Sequence, residues 1–473
     1  MEAFYNGPTA NGMAPQLNHM PQHGMTAPEF IRPPIPAIPM GLHSLYEHCA
    51  RVYPNQTNPL QVTAVLKYWL GGPDPLDYIS MYLNDGDEEN NIPPHWHYVS
   101  FGLSDLHGDN RVHPATDAST PSGFGFELSF RLKKEDDEQS PPTWPASVMQ
   151  ALAKYVFQTS NILCTGDHVS WHCPLDNSES RIQHMLMTED PQLGTALTPF
   201  GSVTFVQIVG VCLEELQAAQ QWNGTGVIDL LKTVSAAGGK WLLTDMRRGE
   251  TIFEIDPNLK ESVDEGIELE GSNLSGVSAK CSYSKIDVDV NDSENKQDDP
   301  SHDRQLIDKD FKEKIEPNSD RNVESRTSRH SSMSVSHDRN SRMSFASETG
   351  IEPMELISTK FLDSLHLNFN YETGNLLPLA LRGRLKHGRH FTFKNIHGDL
   401  AITFVTTSIS GSFVNEEDPY AIHGPWLQVL IPDEYIETML NDLDQISDLN
   451  KDDLPKTFRW EDINLAITLQ PEE

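Results

Sequence analysis

Over 473 residues the chain sets 69 aspartates and glutamates against 35 lysines and arginines, a formal net charge of −34. A surface that acidic repels nucleic acid and anionic lipid and steers basic partners toward itself. Direct DNA or membrane binding is therefore excluded as a principal role, whereas binding a basic DNA-binding protein fits.

Residues 1–40 are rich in Pro, Met and Gly without apolar periodicity and read as a disordered tail, within which PPIPAIP suits polyproline II. The first folded body opens at Gly41, where Leu42, Leu45, Tyr46, Cys49 and Val52 share one face of a helix. GGPDP is turn chemistry, and YISMYLN, HWHYVSFGL and FGFELSFRL are strand-length segments between polar loops. PTWPASVMQALAKYVFQTSN predicts a helix striped by Val148, Leu152, Tyr155 and Val156. Its Pro145 sits in the first turn, where a missing N–H costs little. GSVTFVQIVGVCLEELQAAQQW predicts a buried strand feeding a helix, and VIDLLKTVS, WLLTDM and TIFEID continue the mixed pattern. Leu274–Tyr283 reads as the last strand of the first body.

From Tyr283 to Gly350 the hydrophobic pattern vanishes. Acids (Asp287, Asp289, Asp292, Glu294, Asp298, Asp299, Asp303) give way to a run from Ser325 to Ser347 with nine serines and four arginines. Such a segment buries too little apolar surface to offset the entropy of ordering it, so a disordered tether is expected. Ser331 and Ser344, each two residues after an arginine, and Ser347 are candidate phosphorylation sites. The second body starts near Ile351, with strand candidates in LDSLHLNFN, NLLPLALRGRL, LAITFVTTSI and PWLQVLIP. DEYIETMLNDLDQI predicts a helix with acids in its first turn, and WEDINLAITLQP a closing strand. The expected class is α+β: a tail (1–40), an N-terminal body (41–282), a tether (283–350) and a C-terminal body (351–473), with no regular βαβ rhythm.

No chemistry-bearing motif survives inspection. In CTGDHVSWHC, Cys164, His168 and His172 step by four, with Asp167 and Cys173 beside them. The intervening residues indicate a loop running into a strand, where such steps spread ligands about 13 Å apart. The paired short spacings of a structural zinc site are missing. HWHY places His95 and His97 on one face of a strand without HExxH or a facial carboxylate. A metal-dependent hydrolase using His95, His97, His168 and His172 is the alternative reading. Nucleophile elbow, P-loop and dinucleotide fingerprints are absent, so no catalytic residue, cofactor or metal is expected. Five cysteines form no dense framework, and no signal peptide or membrane-spanning run is seen, which indicates a reducing compartment. LRGRLKHGRHF gathers Arg382, Arg384, Lys386, His387, Arg389 and His390. This cluster either receives a carboxylate, a phosphate or the acidic tether, or is a solvated strand edge.

Long blocks, among them NPLQVTAVLKYWLGGPDPLDYISMY, IPPHWHYVSFGLSDLHGDNRVH, GDHVSWHCPLDNSESRIQHMLMTEDPQ and LRGRLKHGRHFTFKNIHGDLAITFV, closely resemble the Suppressor of fused family across both bodies. The resemblance implies a non-enzymatic negative regulator of Hedgehog signalling that sequesters GLI/Cubitus interruptus zinc-finger transcription factors in cytoplasm and nucleus. It also implies that a Ser-Tyr-Gly-His segment of the partner binds as an added strand between the bodies. By family position, Tyr155 lines the pocket and Asp167 meets the partner histidine. Val277, Ser278 and Ala279 form the pairing strand, Glu372 and Leu376 contribute from the second body, and His387 and Arg389 lie close behind. A Hedgehog-pathway kinase is a further expected partner, and the chain itself is expected to be a monomer.

Overall fold

The computed structural model describes residues 38–286 and 358–472. Most of the tail, most of the tether, and Ser331, Ser344 and Ser347 lie outside the described residues. The first body is built on one mixed sheet. Its strands are β1 (Leu60–Thr63), β2 (Tyr78–Asn84), β3 (His95–Phe101), β4 (Pro121–Lys133), β5 (His168–Ser170), β6 (His184–Glu189), β7 (Thr195–Thr198) and β8 (Gly201–Val211). They run in the order β1-β2-β3-β4-β8-β6-β5, with β7 folded back on β8 and only β4–β8 parallel. Alternation along β3 and β4 sends Tyr98, Leu128 and Phe130 under the helix Trp144–Thr159, which buries Val148, Met149, Leu152 and Val156 there. The helix Met40–Val52 covers Val99, Phe101 and Phe205 with Leu42, Leu45 and Cys49.

Strands β9 (Gly276–Ala279) and β10 (Cys281–Ser284) correct the expectation of one strand closing the first body. They join the sheets of the second body, with β11 (Thr359–Phe361), β12 (Leu365–Asn370), β13 (Phe391–Asn395), β14 (Ala401–Val405), β15 (Tyr420–His423), β16 (Trp426–Leu430), β17 (Lys456–Trp460) and β18 (Leu465–Gln470). One sheet runs β11-β15-β16-β14-β13-β9 and the other β10-β12-β18-β17. Both sheets share a core in which Phe369, Phe391, Phe393 and Phe404 meet. The α+β class holds for both bodies. A second correction is NLLPLALRGRL, which is a helix at Leu377–Gly383 with Pro378 in its first turn. Its buried Leu377, Leu379, Ala380 and Leu381 form an unbroken apolar run whose period does not separate helix from strand.

The two bodies share packing. Leu379 of the second body is buried with Leu186, Val209, Leu231, Val263 and Ile267 of the first, and Leu274 and Leu376 pack on both cores.

The opposite face of β3 and β4 carries the largest fully buried side chain, Arg131. It donates to Asp190 Oδ1 at 2.8 Å, to His95 Nε2 at 2.9 Å and to Gln192 Oε1 at 2.9 Å. His97 faces Asp190 Oδ2 at 3.0 Å and Tyr53 Oη at 2.6 Å. Burial, then the neighbouring Arg131 charge, pushes His95 down to about 3 and His97 to about 4. Burial works against the Asp190 charge, but Arg131 and His97 hold its carboxyl well below the usual range.

Three outcomes follow. Histidines in an unfolded chain titrate near pH 6.5, so between there and about pH 4 the unfolded state binds more protons than the folded one, and stability falls as acid is added. His113, His168, His184 and His366 are shifted the same way, and Glu127, raised by burial, opposes them. Calorimetry is expected to show Tm declining from pH 7 to 4.5; a flat profile contradicts this. Removing half of the buried pair in Asp190→Asn is expected to cost about 3–5 kcal/mol. Leu379→Ala is expected to cost about 2–5 kcal/mol by opening a cavity between the bodies, measured by denaturant unfolding.

Candidate functional site

Two sheet edges approach a common joint. The first is β5, which ends its sheet among the described residues and is entered through a tight turn, Cys164–Asp167. Asp167 N–H donates to Cys164 O at 3.0 Å, and Gly166 takes the positive φ of 89° that such a turn needs at its third residue. The Asp167 carboxylate accepts the Cys164 N–H at 2.8 Å, and the residue is only 9% exposed. Its carbonyl accepts from Met187 N–H, which registers the turn on β6.

The second edge is β9. It pairs parallel with β13 from Gly276 opposite Thr392 to Ala279 opposite Asn395. Thr392 N–H donates to Ser275 O and Ile396 N–H to Ala279 O. Backbone groups alternate sides along a strand, so those of Gly276 and Ser278 turn away from β13 toward the open edge. Val277 is half-buried, Ser278 exposed and Ala279 buried.

The joint between these edges is Trp222–Gly224. A Cβ on Gly224 would stand 2.0 Å from Gly166 O, so glycine alone lets the helix Gly224–Thr233 close on the Asp167 turn. Trp222 Nε1 and Asn223 Nδ2 both donate to Glu270 Oε2 at 3.0 Å, and Asn273 N–H donates to Trp222 O at 2.9 Å. A Cβ on Gly226 or on Gly266 would lie 2.3 Å from the Trp222 ring, so two glycines admit the indole between their helices. Glu270–Asn273 leads directly into β9. Thus one indole and its neighbour couple the turn bearing Asp167 to the strand bearing Val277–Ala279.

The other expected residues distribute around this joint. Tyr155 lies late in the helix Trp144–Thr159, half-buried against the first core, and its hydroxyl accepts from Asn161 Nδ2 at 2.8 Å. Leu376 packs where the two cores meet, beside Leu274. Glu372 is exposed on the turn after β12, where Asn370 N–H donates to Lys280 O at the end of β9. His387 donates to Glu268 O at 3.1 Å, and Arg389 reaches Ser272 O at 3.4 Å, so both touch the segment ahead of β9. Much of the basic cluster meets the helix Asn258–Glu270. Arg382 pairs with Asp264 at 2.5 Å and Lys386 with Glu268 at 2.5 Å, while Arg384 donates to Ser272 O. Sequence reasoning missed Trp222 and this acidic helix. WNGTG, an indole beside two spaced glycines, was the one available signal.

The hydrolase alternative fails on geometry. His95 and His97 are on β3 and His168 on β5, and β4, β8 and β6 lie between them in the sheet. Four strand spacings separate the pairs by about 19 Å. His95 donates through Nδ1 to Pro93 O, and its Nε2 accepts from Arg131. Among the described residues no group of three or more His, Cys, Asp or Glu side chains is placed to hold a metal ion, and no helix is long and apolar enough to cross a membrane.

Comparison with known proteins agrees with this architecture. A family model described as Suppressor of fused protein matches residues 72–249. A second, Suppressor of Fused Gli/Ci N terminal binding domain, matches residues 261–469 and thus takes in β9. The mouse and human Suppressor of fused homologs are each 57% identical over 445 residues, covering 91% of this chain and 92% of theirs. The crystal structure of Drosophila Suppressor of Fused superposes with a TM-score of 0.65 at 39% identity, covering 92% of this chain and 98% of that one. The chain belongs to the Suppressor of fused family, whose members are non-enzymatic negative regulators of Hedgehog signalling.

Proposed function

We propose that this protein sequesters a GLI/Cubitus interruptus transcription factor by taking a Ser-Tyr-Gly-His segment as an added strand between its two bodies. The observation that carries this reading is the pair of edge strands, β5 and β9, tied to one joint at Trp222–Gly224. Strand addition draws affinity from backbone hydrogen bonds and specificity from alternate side-chain pockets, and it needs no cofactor. The outward groups of Gly276 and Ser278 supply the first. Asp167, Tyr155, Glu372 and Leu376 supply the second, with Val277 and Ala279 in the pairing strand and His387 and Arg389 bracing the segment before it. The acidic surface steers a basic zinc-finger protein toward the cleft. Sequestration of this kind acts wherever the partner is met, in cytoplasm and nucleus alike.

Calorimetric titration with a Ser-Tyr-Gly-His peptide tests the reading. The parent chain is expected to bind, and Asp167→Arg to lose binding by at least about a hundredfold, as expected for truncating a buried charge pair. Because Asp167 also accepts the Cys164 N–H, Asp167→Asn is the companion variant that retains an acceptor for the turn. A folded Asp167→Asn that binds more weakly isolates the charge. Equal binding by the parent and both variants would remove Asp167 from the site. Pairing of Asp167 with the partner histidine is strongest when the imidazole is protonated, so affinity is expected to rise as pH falls from 8 to about 5.5. A flat affinity contradicts that contact.

A further inference from the structure

The six-stranded sheet of the second body has two faces with different covers. Its inward residues, among them Val277, Ala279, Phe393, Ile402 and Leu427, lie in or against the aromatic core. On the outward face, residues 406–419 cover one end. There Ile409, Phe413 and Val414 pack on Val405, Ala421 and Leu430, and Phe413 N–H donates to Gln428 Oε1 at 2.9 Å. The other end is open. The register sets one outward row on it across all six strands: Thr359, His423, Trp426, Ala401, Lys394 and Ser278. On the same face Ile396, Trp426 and Phe361 each leave about half of their surface exposed. The Trp426 indole is held in place, since it stacks on His423 at 6.5 Å and His423 Nδ1 is bonded to Thr359 Oγ1 at 3.0 Å. Lys394 and Ser278 are exposed. Among the described residues no carboxylate lies within 4 Å of the Lys394 ammonium, in a chain of net charge −34.

Large apolar side chains gathered on one bare sheet face mark a contact with another polypeptide. We propose that this row receives the partner chain itself, where that chain runs on beyond its Ser-Tyr-Gly-His segment; the inference rests on the strand-addition reading. Two observations select this occupant. Ser278, whose backbone turns toward the open edge of β9, begins the row, so a chain leaving an added strand meets it first. Lys394 comes next and lacks a carboxylate of its own, so the complementary flank carries an acid there and an apolar or aromatic residue for the indole. The strand spacing of about 4.8 Å sets the separations. Lys394 lies two spacings from an added strand, about 10 Å, and Trp426 two spacings further on. At about 3.3 Å per extended residue, the acid sits about three or four positions from the Ser-Tyr-Gly-His segment, and the apolar residue about three beyond it.

The test is calorimetry on the full chain with a core Ser-Tyr-Gly-His peptide and lengthened forms of it. The core is extended at its N-terminal or its C-terminal end by a short Gly/Ser spacer, then an aspartate and a tryptophan three positions apart. Each lengthened peptide has a control with serine in place of both. At least one lengthened peptide is expected to bind about tenfold tighter than its control, since the second contact becomes intramolecular. Trp426→Ala and Lys394→Glu, both at exposed positions, are each expected to remove several-fold of that gain and to leave core binding and Tm unchanged. Core binding with no gain from either extension overturns this inference and leaves strand addition standing. Failure of the core peptide to bind the parent chain overturns both. A gain that neither variant reduces places the flank elsewhere and overturns the row. Loss of core binding in a variant of unchanged Tm overturns the separation of the row from the cleft.

Discussion

The parallel pairing of Gly276–Ala279 with Thr392–Asn395 is the constraint on which the rest of the architecture depends. Because of it, the chain enters the sheets of the second body before residues 287–357 intervene, and that body is completed by strands from both sides of the interval. The same pairing leaves β9 at the end of its sheet, with one row of backbone groups committed to β13 and the other turned outward. Trp222 then fixes where that outward row lies. Wedged against Gly226 and Gly266 and bonded to Glu270, it holds the approach to β9 against the helix that closes on the Asp167 turn.

Magnitudes identify what keeps the bodies together. The interface ion pairs are partly exposed: Arg382 and Asp264 at 33% and 47%, Lys386 and Glu268 at 38% and 45%. Pairs of that kind contribute about 0–1 kcal/mol each. A buried leucine such as Leu379 contributes about 1.5–3 kcal/mol on transfer from water, and Leu274 and Leu376 add partial burial on either side. Apolar packing therefore sets the stability of the interface, while the charges fix its register. The Arg131–Asp190 network behaves differently. Fully buried, it is costly to break, and it uses both HWHY histidines as neutral hydrogen-bonding groups instead of metal ligands.

How much of this was legible in the sequence depended on the range of the interactions involved. The strands in YISMYLN, HWHYVSFGL and FGFELSFRL announced themselves as strand-length runs buried along most of their length, and the helices Met40–Val52, Trp144–Thr159 and Asp433–Leu443 by the periodic spacing of their buried residues. CTGDHVSWHC was readable as a loop entering a strand, since Gly166 marks the turn. Leu377–Gly383 was misread because an apolar run buried on several sides has no telling period. The helix Asn258–Glu270, with only Val263, Gly266 and Ile267 buried, carries too thin a stripe to stand out. The sheets that Leu274–Tyr283 joins were illegible in principle, since their partner strands lie far along the chain, beyond the interval 287–357, and local pattern does not name a partner. The same holds for the basic cluster, whose carboxylates at Asp264 and Glu268 no spacing rule connects to Arg382 and Lys386.

Hydrogen exchange resolved to single amides, on the full chain with and without saturating Ser-Tyr-Gly-His peptide, tests the central claim most directly. If one segment lies between two sheet edges, the amides of Gly276 and Ser278 slow together with amides of β5, while the inward Val277 and Ala279 amides, already bonded to β13, change less. Protection confined to one edge, or to neither while the peptide is bound, would contradict the account.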